Sequence, residues 1–156
     1  MPDRTRPETV SDLAAHLGFW LRFVSNHVSG AFADKIAERG VGVAEWVVMR
    51  ALYDAPALAP SRVAEVIGMT RGAVTKLADK LIAKGLVRRE ADARDRRAQT
   101  LALTAKGRAL LPKLAALADQ NDEEFFGQLD PALVETIKDA MKEIVRRRGL
   151  TVIPTE

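Results

Sequence analysis

Gly85-Leu86-Val87-Arg88-Arg89-Glu90-Ala91-Asp92-Ala93-Arg94-Asp95-Arg96-Arg97-Ala98-Gln99-Thr100-Leu101-Ala102-Leu103-Thr104 reads as a two-stranded ribbon with a charged tip. Leu86 and Val87 stand before the tip, and Thr100, Leu101 and Leu103 after it. Strand-forming residues on either side of a polar turn predict a hairpin. The tip, Asp92 to Arg97, is charged at every position except Ala93. A protruding hairpin rich in arginine suits an anionic groove, although any solvated tip can carry such charges. The segments that precede it favour the groove.

Working towards the N-terminus, Arg71 to Lys84 has Val74, Leu77, Ala78, Leu81 and Ile82 on one face at about 100° per residue. Gly72, Lys76, Asp79 and Ala83 lie opposite, flanked by Arg71, Ala73, Thr75 and Lys80. Thr70 caps this helix and Gly85 follows it. A shorter helix with Val63, Ala64 and Ile67 inward is expected before it, capped by Ser61 and closed by Gly68. Two helices joined by a tight Gly-Met-Thr turn and followed by a ribbon make a winged helix-turn-helix, whose second helix enters the major groove. Asp79 would repel phosphate from that helix, and an intrahelical pair with Lys76 or Lys80 is expected to occupy it.

The flanking segments are helical too. Ser11 is the expected cap of a long first helix, with Leu13, Leu17, Trp20, Val24, Val28 and Phe32 inward, ending near Glu38 before Gly40. A second helix follows Gly42, with Trp46, Val47, Met49 and Leu52 inward, and stops at Asp54-Ala55-Pro56; Ala57 to Ala59 suits a short strand. After the ribbon, Thr104 caps a helix reaching Gln120 or Phe126, which Pro112 either kinks or divides. The last helix opens at Asp130-Pro131, carries Leu133, Ile137, Met141, Ile144 and Val145 inward, and ends in Arg146 to Arg148. The fold class is therefore mainly α with a small β-wing: a winged helix-turn-helix lobe at 43–104 flanked by helical segments at 11–38 and 105–148, to which the family resemblance given below assigns dimerisation.

Composition limits the function. The 156 residues are 47% hydrophobic, enough for one core. They include no cysteine, which removes disulfides and thiolate metal sites. No apolar run suggests a signal peptide or membrane span, so a cytoplasmic protein is expected. The formal charge is only +3, yet Arg71 to Arg97 holds nine basic residues against four acidic ones, so the positive field is local. Two histidines eleven residues apart do not suggest a metal site. No phosphate loop or nucleophile motif points to an enzyme, and no cofactor is implied.

Candidate DNA contacts are Ser61, Thr70, Arg71, Gly72, Ala73, Thr75, Lys76, Lys80, Arg94, Arg96 and Arg97. Small and polar residues let the helix approach base edges, while the cations reach bases or phosphates. The capped helix start at Thr70 can face a phosphate. Arg94 or Arg96 can enter the minor groove, where the negative potential attracts guanidinium.

These residues resemble the MarR-type winged-helix transcriptional regulators. The wing pattern Asp92-x-Arg94-Asp95-Arg96-Arg97, followed by Leu103-Thr104-x-Lys106-Gly107, is similar to that family's most recognisable motif. So is the stretch from Val63-Ala64 through Ile67-Gly68-Met69-Thr70, Val74-Thr75, Leu77, Asp79 and Leu81 to Gly85-Leu86-Val87. The resemblance implies a homodimer formed by the first and last two helices, with two lobes astride a palindromic operator. It further implies repression relieved by a small aromatic or anionic ligand, with Asp92 and Asp95 bracing the wing arginines. Gly42 and Pro112 depart from the family pattern.

His16, Trp20, Phe23 and His27 share one face of the first helix, with Trp46 and Arg50 as candidates for an opposing wall. That stripe suits a ligand cavity, and it suits core or dimer packing as well. A rival from a different class is a winged-helix module whose basic face docks an acidic protein.

Overall fold

The computed structural model describes residues 9–95 and 97–151, so Arg96 lies outside the described residues. Six helices and one two-stranded antiparallel sheet follow in the order α1 (Leu17–Ala37), α2 (Val43–Tyr53), α3 (Pro60–Ile67), α4 (Arg71–Ala83), β1 (Val87–Ala91), β2 (Gln99–Leu103), α5 (Ala105–Phe126) and α6 (Pro131–Arg148). The mainly α, winged architecture agrees with the sequence.

Several boundaries follow from local chemistry. Thr70 Oγ1 accepts the amide of Ala73 at 3.2 Å, and Thr104 Oγ1 that of Gly107 at 3.1 Å. Asp130 Oδ1 accepts from Ala132 N at 2.9 Å, with Pro131 in the first helical position. Each side chain satisfies an amide that has no partner inside its helix. Gly68 takes φ +70° at the end of α3, and the amide of Met69 returns to the carbonyl of Ala64 at 3.1 Å. The α3–α4 turn thus closes in a left-handed conformation that favours glycine.

Two expected caps are displaced. Ser11 caps nothing: a 3-10 turn at Leu13–Ala15 precedes α1, and the extended His16 (ψ 124°) separates them. His16 Nδ1 lies 3.1 Å from the carbonyl of Asp12, and Trp20 Nε1 donates to the carbonyl of Ala14 at 2.8 Å. Side chains thus occupy carbonyls that a continuous helix would have used. Ser61 is likewise not the cap of α3. Ala59 holds that position with ψ 144° and Pro60 follows at the first helical residue, because proline drives its predecessor extended and needs no amide partner.

Pro112 does not divide α5, which continues to Phe126. Leu58, in the expected Ala57–Ala59 strand, exchanges backbone hydrogen bonds with Leu101 at 2.9 and 2.7 Å, forming a single bridge.

The buried core lies in and beside the winged lobe. Ile36, Val48, Met49, Leu52, Val63, Val74, Leu81 and Leu114 are completely enclosed. Val48 displaces the expected Trp46 and Val47, which are only partly buried. The expected inward stripes of the terminal helices are mostly uncovered within one chain. On α1, Phe32 is buried and Val28 half-buried, whereas Leu17, Trp20 and Val24 are exposed, as is Leu13 before it. Leu133, Ile137, Met141, Ile144 and Val145 are all exposed on α6, which makes no extended contact with another described element. Periodicity identified an apolar face correctly but not what covers it. No described helix is long and apolar enough to cross a membrane.

Candidate nucleic-acid interface

The sequence-predicted contacts lie on three parts of the winged lobe, in which α4 packs against both α3 and β1: the start of α3, the outer face of α4 and the tip of the ribbon. Ser61 is exposed in the first turn of α3. On α4, Arg71, Gly72, Thr75, Lys76 and Lys80 are exposed, Ala73 is half-buried, and the exposed Thr70 precedes them. The buried Val74, Ala78 and Leu81 fix this orientation by holding the other face against the core. Thr75 Oγ1 donates to the carbonyl of Arg71 at 2.9 Å. At Gly72, an added Cβ would meet nothing within 4 Å. Internal packing does not explain a glycine there, although glycine in a helix costs roughly 0.5–1 kcal/mol relative to alanine.

The ribbon is set in register by Val87↔Leu103, Arg88↔Ala102, Arg89↔Leu101, Glu90↔Thr100 and Ala91↔Gln99. Buried Val87, Leu101 and Leu103 anchor its base. At the tip, Asp92 Oδ1 accepts the amide of Arg94 at 2.7 Å and Asp95 Oδ1 that of Arg97 at 3.0 Å. Both carboxylates therefore shape the backbone and make no described contact with a guanidinium.

Sequence spacing missed which arginines are already engaged. Asp79 pairs with Arg89 of β1, not with Lys76 or Lys80, because the ribbon folds back alongside α4. The carboxylate on the α4 outer face thus ties that helix to the wing. Arg88 binds Glu90 at 2.5 Å and the Leu103 carbonyl at 3.0 Å. Among the described residues, the side chains of Arg71, Lys76, Lys80, Arg94 and Arg97 have no hydrogen-bonding or ion-pair partner.

The aromatic stripe is only partly assembled. The Phe23 ring lies 4.8 Å from His27 and 6.4 Å from Trp20, and Phe19 joins them at 5.9 Å from Phe23. His16 stands outside the helix as its N-cap. Trp46 instead packs edge-on to Phe32 at 6.0 Å, and Arg50 pairs with Asp54 at 2.7 Å beside the Tyr53 ring. Among the described residues, no ring contact or hydrogen bond joins those two to His16, Phe19, Trp20, Phe23 or His27.

Two further polar contacts hold the frame. Glu45 accepts the amide of Gly42 at 3.1 Å and receives Lys84 at 2.7 Å, joining the start of α2 to the end of α4. The glutamate three residues after the Gly42 cap was the available sequence signal. Asn121, 2% exposed, donates to the Val28 carbonyl at 3.1 Å and accepts from Lys35 at 3.0 Å. Lys35 also pairs with Glu124 at 2.7 Å. The Lys35 and Gln120 hydrogen bonds hold the Glu124 carboxyl below its ordinary value. No sequence pattern announces Asn121.

A family model for MarR proteins matches residues 39–98. The transcriptional regulator HosA of Escherichia coli O127:H6 is 31% identical over 101 residues, or 65% of this chain and 75% of that protein. The chain belongs to the MarR family. As a MarR-family protein it is a transcriptional regulator and not an enzyme. Among solved structures, CouR of Rhodococcus jostii RHA1 bound to p-coumaroyl-CoA aligns with a TM-score of 0.78 at 26% identity, covering 86% of this chain and 95% of CouR. BpsR of Bordetella bronchiseptica, whose DNA binding is regulated by 6-hydroxynicotinic acid, aligns with a TM-score of 0.79 at 26% identity. That match covers 87% of this chain and 97% of BpsR. The MarR match runs from before α2 through the wing tip and stops short of β2; it includes every residue of the interface described above.

Proposed function

We propose that this MarR-family regulator is a cytoplasmic homodimeric repressor that binds a palindromic operator through one winged lobe per half-site. A small aromatic or anionic effector releases it. The carrying observation is that, among the described residues, the side chains of five cations of α4 and the wing tip have no ion-pair or hydrogen-bonding partner, on a surface whose other side packs against the core and where internal packing has no use for Gly72. In this reading Ser61, Thr70, Ala73 and Thr75 supply polar and close contacts, and Arg71, Lys76 and Lys80 reach bases or phosphates. Arg94, Arg96 and Arg97 grip the adjoining groove.

The division into a lobe at 43–104 and dimerisation segments at 11–38 and 105–148 belongs to the same proposal. The uncovered apolar faces of α1 and α6 support it. So does an open cleft of about 340 Å³ at the α5–α6 elbow, lined in part by Phe126, Leu129 and Val134, which extends the apolar surface. Effector release is supported by the ligands named for BpsR and CouR; the aromatic group of Trp20, Phe23 and His27 is its candidate locus.

Footprinting of the DNA upstream of the gene tests the proposal. A protected, two-fold symmetric site is expected, with half-sites spaced by whole helical turns of about 34 Å. Log affinity should fall against log salt with a slope of about −0.9 per phosphate contact. Arg94→Ala should weaken operator binding roughly tenfold or more with the fold intact. A protein that prefers no duplex at low salt but captures an acidic polypeptide through the same face would overturn the proposal in favour of a protein-interaction module.

A further inference from the structure

The end of α4, the base of the wing and the first turn of α5 meet at one residue. Thr104 N donates to the carbonyl of Leu86 at 3.1 Å. Its hydroxyl donates to the carbonyl of Gly85 at 2.6 Å while accepting the amide of Gly107 at 3.1 Å. One side chain therefore caps α5 and fastens the chain reversal that follows α4. Lys106 adds a bond from Nζ to the carbonyl of Lys84 at 3.2 Å, and the Lys84 ammonium itself holds Glu45 and the Gly40 carbonyl. A Cβ on Gly107 would fall 2.1 Å from the Leu86 carbonyl oxygen, so α5 rests there backbone against backbone.

Where Gly107 meets the Leu86 carbonyl, no side chain stands between the two backbones to absorb rotation. Further along α5, Asn121 and the Lys35–Glu124 pair fasten the same helix to α1. Sixteen residues, or about 24 Å of helix, separate Ala105 from Asn121. Pro112 lies between the two joints, where proline removes one helical hydrogen bond. Bending between the joints is thus easier than slippage at either of them.

We propose that Thr104 is a positioning residue: it locks α4 and the wing onto α5, so that the lobe turns with that helix as one body. The inference rests on the DNA-reading role assigned above only in its consequence for affinity. Its geometry is tested without DNA. The absence of native cysteine allows cysteine labels at Lys76 and at the exposed Ala109, which precedes Pro112, with labelled chains mixed into excess unlabelled protein to isolate the distance within one chain.

Dipolar spectroscopy should give one narrow distance in the otherwise unmodified protein and in Thr104→Ser, which keeps the hydroxyl. Thr104→Val, similar in shape but without the hydroxyl, should broaden or shift it. The unlabelled valine variant should bind operator about tenfold more weakly, with recovery in the serine variant. A narrow, unshifted distance in Thr104→Val overturns the inference. If that variant does not fold, Lys106→Met, which removes only the exposed tie to Lys84, should broaden the distance to a lesser degree; an unchanged distance there overturns it equally. Distances that behave as expected in a protein that binds no DNA would uphold the joint and refute the DNA-reading role.

Discussion

Replacing Gly107 with alanine adds one methyl group where the structure has no room. The new Cβ would stand 2.1 Å from the carbonyl oxygen of Leu86 and 3.3 Å from Cδ2 of Leu103. Carbon and carbonyl oxygen approach to about 3.3 Å at closest, so the first turn of α5 and the Leu86 carbonyl must separate by roughly 1 Å. That movement strains a buried contact, at about 1–3 kcal/mol for overpacking. It also pulls on the Thr104 cap, at roughly 0.5–2 kcal/mol. Alanine returns about 1 kcal/mol through its better helix propensity. The balance is a loss of roughly 0.5–4 kcal/mol, within the usual destabilising range for one substitution.

For a chain of 156 residues, each kcal/mol moves the midpoint by roughly 2–4 °C, giving a fall of about 1–16 °C. Thermal unfolding followed by circular dichroism, at one fixed protein concentration because association adds to stability, measures it. A Gly107→Ala variant as stable as the parent would refute the reasoning, since it would mean that α5 does not rest against Leu86.

Gly72→Ala should have the opposite sign in stability, because nothing lies within 4 Å of its Cβ position; a gain of up to about 1 kcal/mol in urea unfolding should accompany weaker operator binding, and unchanged binding would show that no duplex approaches that face. Ile137→Glu places a charge in the uncovered stripe of α6 and should yield monomers by light scattering; an intact dimer would place the subunit contact elsewhere. Glu124 is held below its ordinary carboxyl value by the hydrogen bonds from Lys35 and Gln120. Its stabilising contribution is therefore present above the unfolded value and lost as pH falls through the lower folded value. Urea midpoints taken from about pH 5 to pH 3 should fall less steeply in Glu124→Gln, and an equal slope would assign acid sensitivity to other groups.

What was legible in the sequence was what a few neighbouring residues decide. Thr70, Thr104 and Asp130-Pro131 cap their helices because cap and amide lie within three residues of each other, and the ribbon follows from strand formers around a charged turn. The Pro60 start of α3 was open to the same logic, since proline marks a first helical position more firmly than the following serine marks a cap. Ser11 failed for a longer-range reason: the side chains of His16 and Trp20 take carbonyls on which a continuous helix would have depended. Asp79 was paired with its helical neighbours because spacing on one helix is visible, whereas Arg89 reaches it only once the ribbon has folded back. In the candidate interface, charge and exposure of α4 were readable. The engagement of Arg88 and Arg89, which leaves Arg94 and Arg97 at the tip without described partners, required the hairpin register.

The bare stripe of α6 has a consequence for specificity among related proteins. From Leu133 to Val145 its apolar side bears no charge, while Glu135, Lys138, Asp139, Lys142 and Glu143 lie away from it, in pairs with one another or with Arg146 and Arg147. Coiled-coil proteins commonly reject the wrong mate by setting like charges against each other at the seam. In the proposed homodimer this stripe would have no such filter, so the choice of mate would fall to shape: the fit of Met141 and its branched neighbours against their counterparts. Were the proposed dimer to form there, small changes of volume along that stripe would be a short evolutionary route to a self-selecting pair or to a mixed one.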